Sequence, residues 1–257
     1  MRIMTSNIWG DYFKNPVEVR QDGLLTVLKK YNPDVLGLQE VTKGWYKSKL
    51  FNVLCEDYEC VGTELSNNSN YVPLVYKKGY ELISKGYERL SEVSDVSKAI
   101  TWAVIKNTET LNTVAVCNTH FWWMSGVEHD ILRVQNAKQL VKVMQYLNQR
   151  YSCPVFAFGD MNCLLTSGAF DVYRENGIKY LFDIAKKKDN VSTNHGNPVF
   201  GDDGLYHGKR TELDNNHSID HIICLGDGFE VLQYRVIEDQ DVLDATDHSQ
   251  VFVDLEF

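Results

Sequence analysis

The 257-residue sequence predicts an α/β domain in which strands outnumber helices. Nine short runs rich in Val, Ile and aromatic residues are bounded by Gly, Asn or Asp, as strands are. Stretches with helical spacing interrupt them. No repeat, low-complexity tract or linker-like segment divides the chain, and 44% hydrophobic residues suffice for a large core. A single domain over residues 1–257 is therefore expected.

The first strand runs Ile3–Ser6. Asn15-Pro16-Val17-Glu18 then offers an N-cap, a proline at the first helical position and a Glu at N3. That predicts a helix with Val17, Gln21, Leu24, Leu28 and Tyr31 on one face, ended by Asn32-Pro33. A strand at Val35–Gln39 and a weaker helix over Trp45–Glu56 follow. Further strands lie at Val72–Tyr76, Ile100–Ile105 and Val114–Thr119. Ser125-Gly126-Val127-Glu128 reads as a capping box opening the longest helix. Its apolar stripe is Val127, Ile131, Val134, Val141, Met144 and Leu147. Val155–Gly159 is a strand and Ser167–Glu175 a helix, and strands at Ile219–Leu225, Val231–Ile237 and Val251–Phe257 close the chain. Several strands alternate poorly, as strands covered on both faces do. The stretch from Lys186 to Asn216 is polar and irregular, and loops of that length are usually functional or mobile.

A formal charge of −9 argues against a broad polycationic surface for long nucleic acids, though a local basic patch is compatible with it. The N-terminus enters a strand directly, without an apolar stretch and cleavage site. No run approaches the ~18 apolar residues of a membrane span. Six cysteines include no CxxC pair, and Cys117 and Cys224 fall inside strand runs as buried thiols would. A cytoplasmic protein with reduced cysteines and no obvious protein partner is expected.

Several polar residues sit where strands end. Glu40 ends the buried run Val35–Gln39, and Asn7 follows the first strand; alone, one is a surface acid and the other a turn residue. Gly159-Asp160-Met161-Asn162 is more specific. Residues two apart in extended backbone address one face, so Asp160 and Asn162 can meet at one point. The glycine permits a sharp bend or a close approach. Asp220 precedes His221, and Asp247 precedes His248. An imidazole works as acid or base when a carboxylate fixes its tautomer, and either Asp220 or Asp247 can serve His248 so. His120 ends Cys117-Asn118-Thr119 as a second candidate imidazole. Together these donors suit a hard divalent cation and a phosphate ester.

Asn7 in Thr-Ser-Asn-Ile-Trp, Glu40 in Leu-Gln-Glu-Val, His120 in Asn-Thr-His-Phe, Asp160 and Asn162 in Gly-Asp-Met-Asn, Asp220 in Ile-Asp-His-Ile, and Asp247-His248 in Thr-Asp-His-Ser occur in that order. This set resembles the motifs of the endonuclease/exonuclease/phosphatase superfamily, the DNase I-like metal-dependent phosphoesterases, from residue 3 to 257. The resemblance implies a four-layer α/β/β/α sandwich with two packed mixed β-sheets and a site at one rim. It implies Mg²⁺ (or Mn²⁺) held chiefly by Glu40, with Asn7 and Asp247 nearby. It implies in-line attack of water on a phosphodiester or phosphomonoester. In that scheme Asp160 activates the water and Asn162 positions it, while His120 and His248, the latter held by Asp220, bond the phosphate oxygens.

The substrate is less legible. His120 stands where the abasic-site repair branch carries a Tyr. Cys163-Leu164-Leu165 and Ser218-Ile219 lack the signature of the inositol-phosphate branch. The stretch Asn118 to Trp123, with Arg133 and Gln135 beyond it, is similar both to the deadenylase-like 3′ exonucleases and to bacterial members. Trp122 and Trp123 either stack a base or sugar, or pack under the helix. Arg133 either contacts a phosphate or plays an ordinary helical role. Leu205-Tyr206-His207-Gly208 resembles an element of the bacterial members and places His207 at the pocket edge. Two other classes compete: a non-catalytic binding module on the same fold, and a zinc hydrolase using His120, His207, His217 or His221. No close ligand spacing supports the zinc hydrolase.

Overall fold

Strands that bury both faces need cover on both sides. The computed structural model of the chain, which describes residues 1–62 and 70–257, supplies it in four layers. The chain enters through β1 (Arg2–Asn7) and α1 (Gln21–Tyr31) to β2 (Val35–Gln39). Two short helices, α2 (Lys43–Tyr46) and α3 (Lys49–Asp57), lead to β3 (Tyr58–Val61) and β4 (Leu74–Lys77). Next come β5 (Tyr80–Arg89), β6 (Ala99–Asn107), β7 (Thr113–His120), α4 (Val127–Tyr151), β8 (Val155–Asp160) and α5 (Gly168–Glu175). Smaller elements follow: β9 (Lys179–Tyr180), α6 (Leu181–Ile184), β10 (Lys187–Lys188), β11 (Val199–Phe200) and β12 (Tyr206–His207). The last are β13 (Asp220–Leu225), β14 (Glu230–Ile237), α7 (Gln240–Ala245) and β15 (Gln250–Glu256).

One sheet has the order β10-β14-β15-β1-β2-β4-β3 and the other β5-β6-β7-β8-β13-β9. Both are mixed: β1 pairs parallel with β2 and antiparallel with β15, and β8 pairs parallel with β7 and antiparallel with β13. β1 and β2 lie over β7 and β8. Alternate residues of β1 and β2 serve two cores. Ile3 and Val35 join the inter-sheet core with Phe158 and Ile222, while Met4 and Leu36 face Leu24 and Leu28 of α1. α4 and α5 cover the other outer face with Leu140, Met144 and Phe170.

A buried polar clasp joins the sheets just beneath the rim. Asn118 on β7 donates to Leu38 O and Pro73 O, both at 2.8 Å, and accepts from Gln39 Nε2 at 2.5 Å. Gly37 permits this approach: a Cβ there would stand 2.6 Å from Asn118 Oδ1 and 2.5 Å from the Phe158 ring.

All nine expected strands form, Val35–Gln39 with the expected ends and the others with ends moved by at most two residues. The first helix begins at Gln21 rather than after Asn15. Asn15 does not cap it but donates to Gly10 O, and residues 17–20 turn around the buried Arg20, whose guanidinium bonds Ile8 O, Asn15 O, Pro16 O and Ala245 O. The long helix opens where expected, yet its N-cap is Gly126 with no side-chain cap bond, so the capping box is not made. Its stripe also differs: Val127 and Ile131 are exposed, and Arg133, Asn136, Ala137 and Leu140 are buried instead. The helix expected over Trp45–Glu56 is split at Lys47–Ser48, where Ser48 caps α3. β3 and the long edge strand β5 were not anticipated. β5 alternates half-buried and exposed residues rather than burying either face, so no apolar run betrays it.

Strand direction assembles the rim. In the second sheet β7 ends at His120, paired with Asp160 at the end of parallel β8; antiparallel β13 begins at Asp220, opposite the same Asp160. β6 runs opposite to β7, with Ile100 against Thr119, so its start, preceded by Lys98, reaches the same rim. In the first sheet Asn7 ends β1 and Glu40 follows β2, while Asp247 and His248 precede antiparallel β15.

Candidate active site

The two rims face each other across a cleft of about 790 Å³. Glu40, His120, Asp160, Asn162, Asp247 and His248 line it. Asn7 and Asp220 stand directly behind Asp160 and His248, as the bonds below show.

One amide nitrogen ties the sheets together at the centre. Asn7 Nδ2 donates to Glu40 Oε1 at 3.2 Å and to Asp160 Oδ2 at 3.0 Å, and Asn7 Oδ1 accepts from Trp9 N. Glu40 takes a left-handed backbone (φ +61°), and its Oε2 accepts from Gly10 N at 2.8 Å. Asp160 is 2% exposed. Burial pushes its carboxyl above the ordinary range, and Asp220 adds to this; the charges of His248 and Lys98 and the Asn7 bond pull the other way. Asp160 Oδ1 accepts from Asn162 N at 2.9 Å, which fixes the turn after β8. Gly159 makes that turn possible with φ +145°, since a Cβ there would lie 1.9 Å from Thr119 O.

His248 Nδ1 lies 2.8 Å from Asp220 Oδ2, and His248 Nε2 points toward Asp160 Oδ2 and Asp247 Oδ1, each at 3.9 Å. Burial opposes its charge, yet Asp220, Asp247 and Asp160 outweigh burial and hold its pKa well above 6.5. His248 is thus the imidazolium of the site. His120 is the reverse case. Burial first, then Lys98 and His248, hold it well below 6.5, so it is neutral. Its Nε2 lies 3.3 Å from Asp160 Oδ2 and 2.7 Å from Lys98 Nζ.

Glu40 and Asp247 have no Lys or Arg within 4 Å among the described residues. Burial, reinforced by Glu40, raises the pKa of Asp247. Two carboxylates without a Lys or Arg partner, Asp247 having only His248 Nε2 at 3.9 Å, make with the amide beside them a donor set that fits a hard divalent cation. Asn7 presents nitrogen to the carboxylates here, and turning the amide would present its oxygen instead. A second grouping with cation-binding chemistry is Asp160, Asp220 and His248, whose candidate ligand atoms lie within 4.8 Å of one another. There the short Asp220–His248 bond already occupies Nδ1.

Of the residues expected around the substrate, only Trp123 lines the cleft; it is 57% exposed. Trp122 leans on the core and donates Nε1–H to His129 Nδ1 at 2.9 Å. Arg133 is a correction: its guanidinium bonds Trp122 O, Met124 O and Asp130 Oδ1, shaping the loop instead of reaching a phosphate. His207 is another. β12 alternates, so Tyr206 is buried facing the cleft while His207 is exposed and paired with Asp203. Of the zinc candidates, His221 is buried against Cys163 O and His217 pairs with Asp214 on the surface, so neither joins His120.

The cleft also contains residues not anticipated: Lys98, Asp95, Trp9, Tyr12, Tyr71 and Asn194. Asn194 arrives from the irregular stretch after Lys186, which bridges to His248 and whose Thr193 Oγ1 accepts from Asp220 N. Lys98 carried a usable signal, because it abuts a strand run as Glu40 does. It adjoins a strand start, and an antiparallel neighbour puts that start on the same rim.

Residues 4–248 match the Endonuclease/Exonuclease/phosphatase family. No curated protein matches the chain by sequence. Among solved structures, an endonuclease/exonuclease/phosphatase family protein from Bacteroides thetaiotaomicron is similar at 19% identity and TM-score 0.78, over 99% of this chain and 97% of that one. A mannosyl-6-phosphatase of Bacteroides thetaiotaomicron VPI-5482 is 19% identical with TM-score 0.75, over 100% of both chains. The human Nocturnin catalytic domain with bound sulfate is 17% identical with TM-score 0.72, over 100% of this chain and 94% of that one. At these identities the likeness is one of fold.

Proposed function

The chain belongs to the endonuclease/exonuclease/phosphatase family, and from that premise we propose that it is a divalent-metal-dependent phosphoesterase acting by in-line attack of water. The observation that carries this reading is Asn7 Nδ2 bonded at once to Glu40 and Asp160, which brings a cation seat and a buried base together.

Asp160 accepts the proton of the attacking water, its deprotonated state favoured by His248 and Lys98. Asn162, held with φ +48° and bonded to Phe121 O, positions water or phosphate. His248, charged and oriented by Asp220, donates from Nε2 to a phosphate oxygen as negative charge builds. His120 keeps Asp160 and Lys98 in register. Glu40, Asp247 and Asn7 would hold Mg²⁺ or Mn²⁺, which would supply charge neutralisation for the phosphate and its leaving oxygen.

A nuclease of the deadenylase type is the second reading, supported by Trp123 as a stacking platform in the cleft. Among the described residues lining the cleft Lys98 is the only Lys or Arg, which weighs against long polyanions. A non-catalytic module is disfavoured because it would retain Glu40 and Asp247 side by side, with no Lys or Arg partner among the described residues, for no return. No helix of the described residues is long and apolar enough to cross a membrane.

The decisive assay is hydrolysis of p-nitrophenyl phosphate and bis-p-nitrophenyl phosphate with Mg²⁺ or Mn²⁺. Asp160→Asn should lower turnover by roughly 10²–10³-fold while the protein stays folded. Absence of hydrolysis of any phosphoester in a broad panel, with either metal, would remove the proposal.

A further inference from the structure

Lys98 is 3% exposed, yet it lines the cleft. Its Nζ donates to His120 Nε2 at 2.7 Å, and that nitrogen lies 3.3 Å from Asp160 Oδ2, so the ammonium stands one imidazole nitrogen away from the base. Among the described residues His120 is its sole hydrogen-bond partner, and no carboxylate pairs with it within 4 Å. An ammonium has three N–H donors, so two remain. Burial lowers its pKa below the usual lysine value, and Asp160, Glu40 and Asp95 offset this only in part, from longer range. A buried cation without a close counter-ion is costly to keep. At the floor of a cleft it is a prepared seat for an anion.

The number of donors bears on which anion. A phosphodiester exposes two non-bridging oxygens and one negative charge. A phosphomonoester exposes three and carries nearly two charges at neutral pH. A cation held by Glu40 and Asp247 would serve one oxygen and His248 Nε2 a second; Lys98 is matched to the third. The cleft is also lined by Asp95, Tyr12, Tyr71 and Trp123, with no further Lys or Arg among the described residues. Such walls suit an uncharged body carrying one terminal phosphate.

Resting on the phosphoesterase reading above, we infer that Lys98 holds a terminal oxygen of a phosphomonoester and so selects monoesters over diesters.

The test compares kcat/KM of the Mg²⁺-loaded full chain for p-nitrophenyl phosphate and bis-p-nitrophenyl phosphate, in wild type and in Lys98→Met. Wild type should favour the monoester. Lys98→Met should lose about 30-fold or more on the monoester and no more than about threefold on the diester. Lys98→Arg should recover part of the monoester activity. An equal loss on both esters in a folded variant, or a wild-type preference for the diester, overturns the inference. Inorganic phosphate titrated by calorimetry gives a readout without turnover: Lys98→Met should bind it at least about tenfold more weakly, and unchanged binding overturns the inference. Should wild type hydrolyse neither these esters nor any other phosphoester of the broad panel, the phosphoesterase reading fails, and the phosphate titration alone still decides whether Lys98 is an anion seat. Melting curves confirm folding; removal of a buried unpaired charge should leave Lys98→Met at least as stable as wild type without ligand.

Discussion

Asp220 and His248 adjoin the starts of strands in different sheets, yet Asp220 Oδ2 and His248 Nδ1 lie 2.8 Å apart, both residues buried. The bond spans the two layers and leaves Nε2 aimed into the cleft. Its energetic sign depends on pH. The folded pKa of His248 lies above the unfolded value of 6.5. The pair's contribution is therefore complete below that value and is lost as pH rises through the folded pKa. Asp220→Asn should cost roughly 2 kcal/mol at about pH 6, and the gap from wild type should narrow at alkaline pH. Denaturant unfolding at a series of pH values checks this; a gap that widens with pH would refute the charged assignment of His248.

Gly159→Ala should be among the most damaging single-methyl changes. The new Cβ would meet Thr119 O, a backbone atom of the paired strand, at a φ that L-residues avoid. A loss of about 3 kcal/mol or more is expected, with Asp160 displaced as β8 shifts. Thermal melting together with turnover reads both effects.

Chelation should abolish hydrolysis and lower Tm, because Glu40 and Asp247 would then face each other without a cation. At about a hundredfold excess over its Kd, a divalent ion stabilises the fold by about 2.7 kcal/mol. Glu40→Gln should shrink the Mg²⁺-dependent rise in Tm, which differential scanning calorimetry records directly. An identical rise in the variant would move the ion elsewhere, with Asp160, Asp220 and His248 the next grouping to test.

The adjacent tryptophans should behave differently. Trp123→Ala removes an exposed cleft wall and should raise KM for a nucleotide or sugar phosphate about tenfold, with little change for p-nitrophenyl phosphate. Trp122→Ala removes a side chain leaning on the core and bonded to His129, and should cost roughly 2 kcal/mol of stability. Steady-state kinetics and urea titration separate the two.

Much of the site was legible because strand ends are legible. Glu40, His120, Asp160 and Asp247-His248 each abut an apolar run that reads as a buried strand, and the fold brings those ends to one rim. Tyr206 was not, since its position depends on strand alternation; Lys98 abuts a strand run too, but the antiparallel pairing of β6 with β7 is what brings it to this rim. Arg133 shows the opposite error. A helical arginine near the site invites a phosphate, but the unsatisfied carbonyls of the loop before α4 were closer. β5 escaped because a solvated edge strand carries no continuous apolar signature.

Asn118 sits at the centre of one sheet and spends its amide on the other, bonded to Leu38 O, Pro73 O and Gln39. Sliding the halves past each other would strand all three contacts in a dry interior, at about 1–3 kcal/mol apiece. The jaws of this protein are consequently stiff against shear. Adaptation to a new substrate would fall to the surrounding loops, while the spacing between the Glu40 and Asp160 rims stays constant.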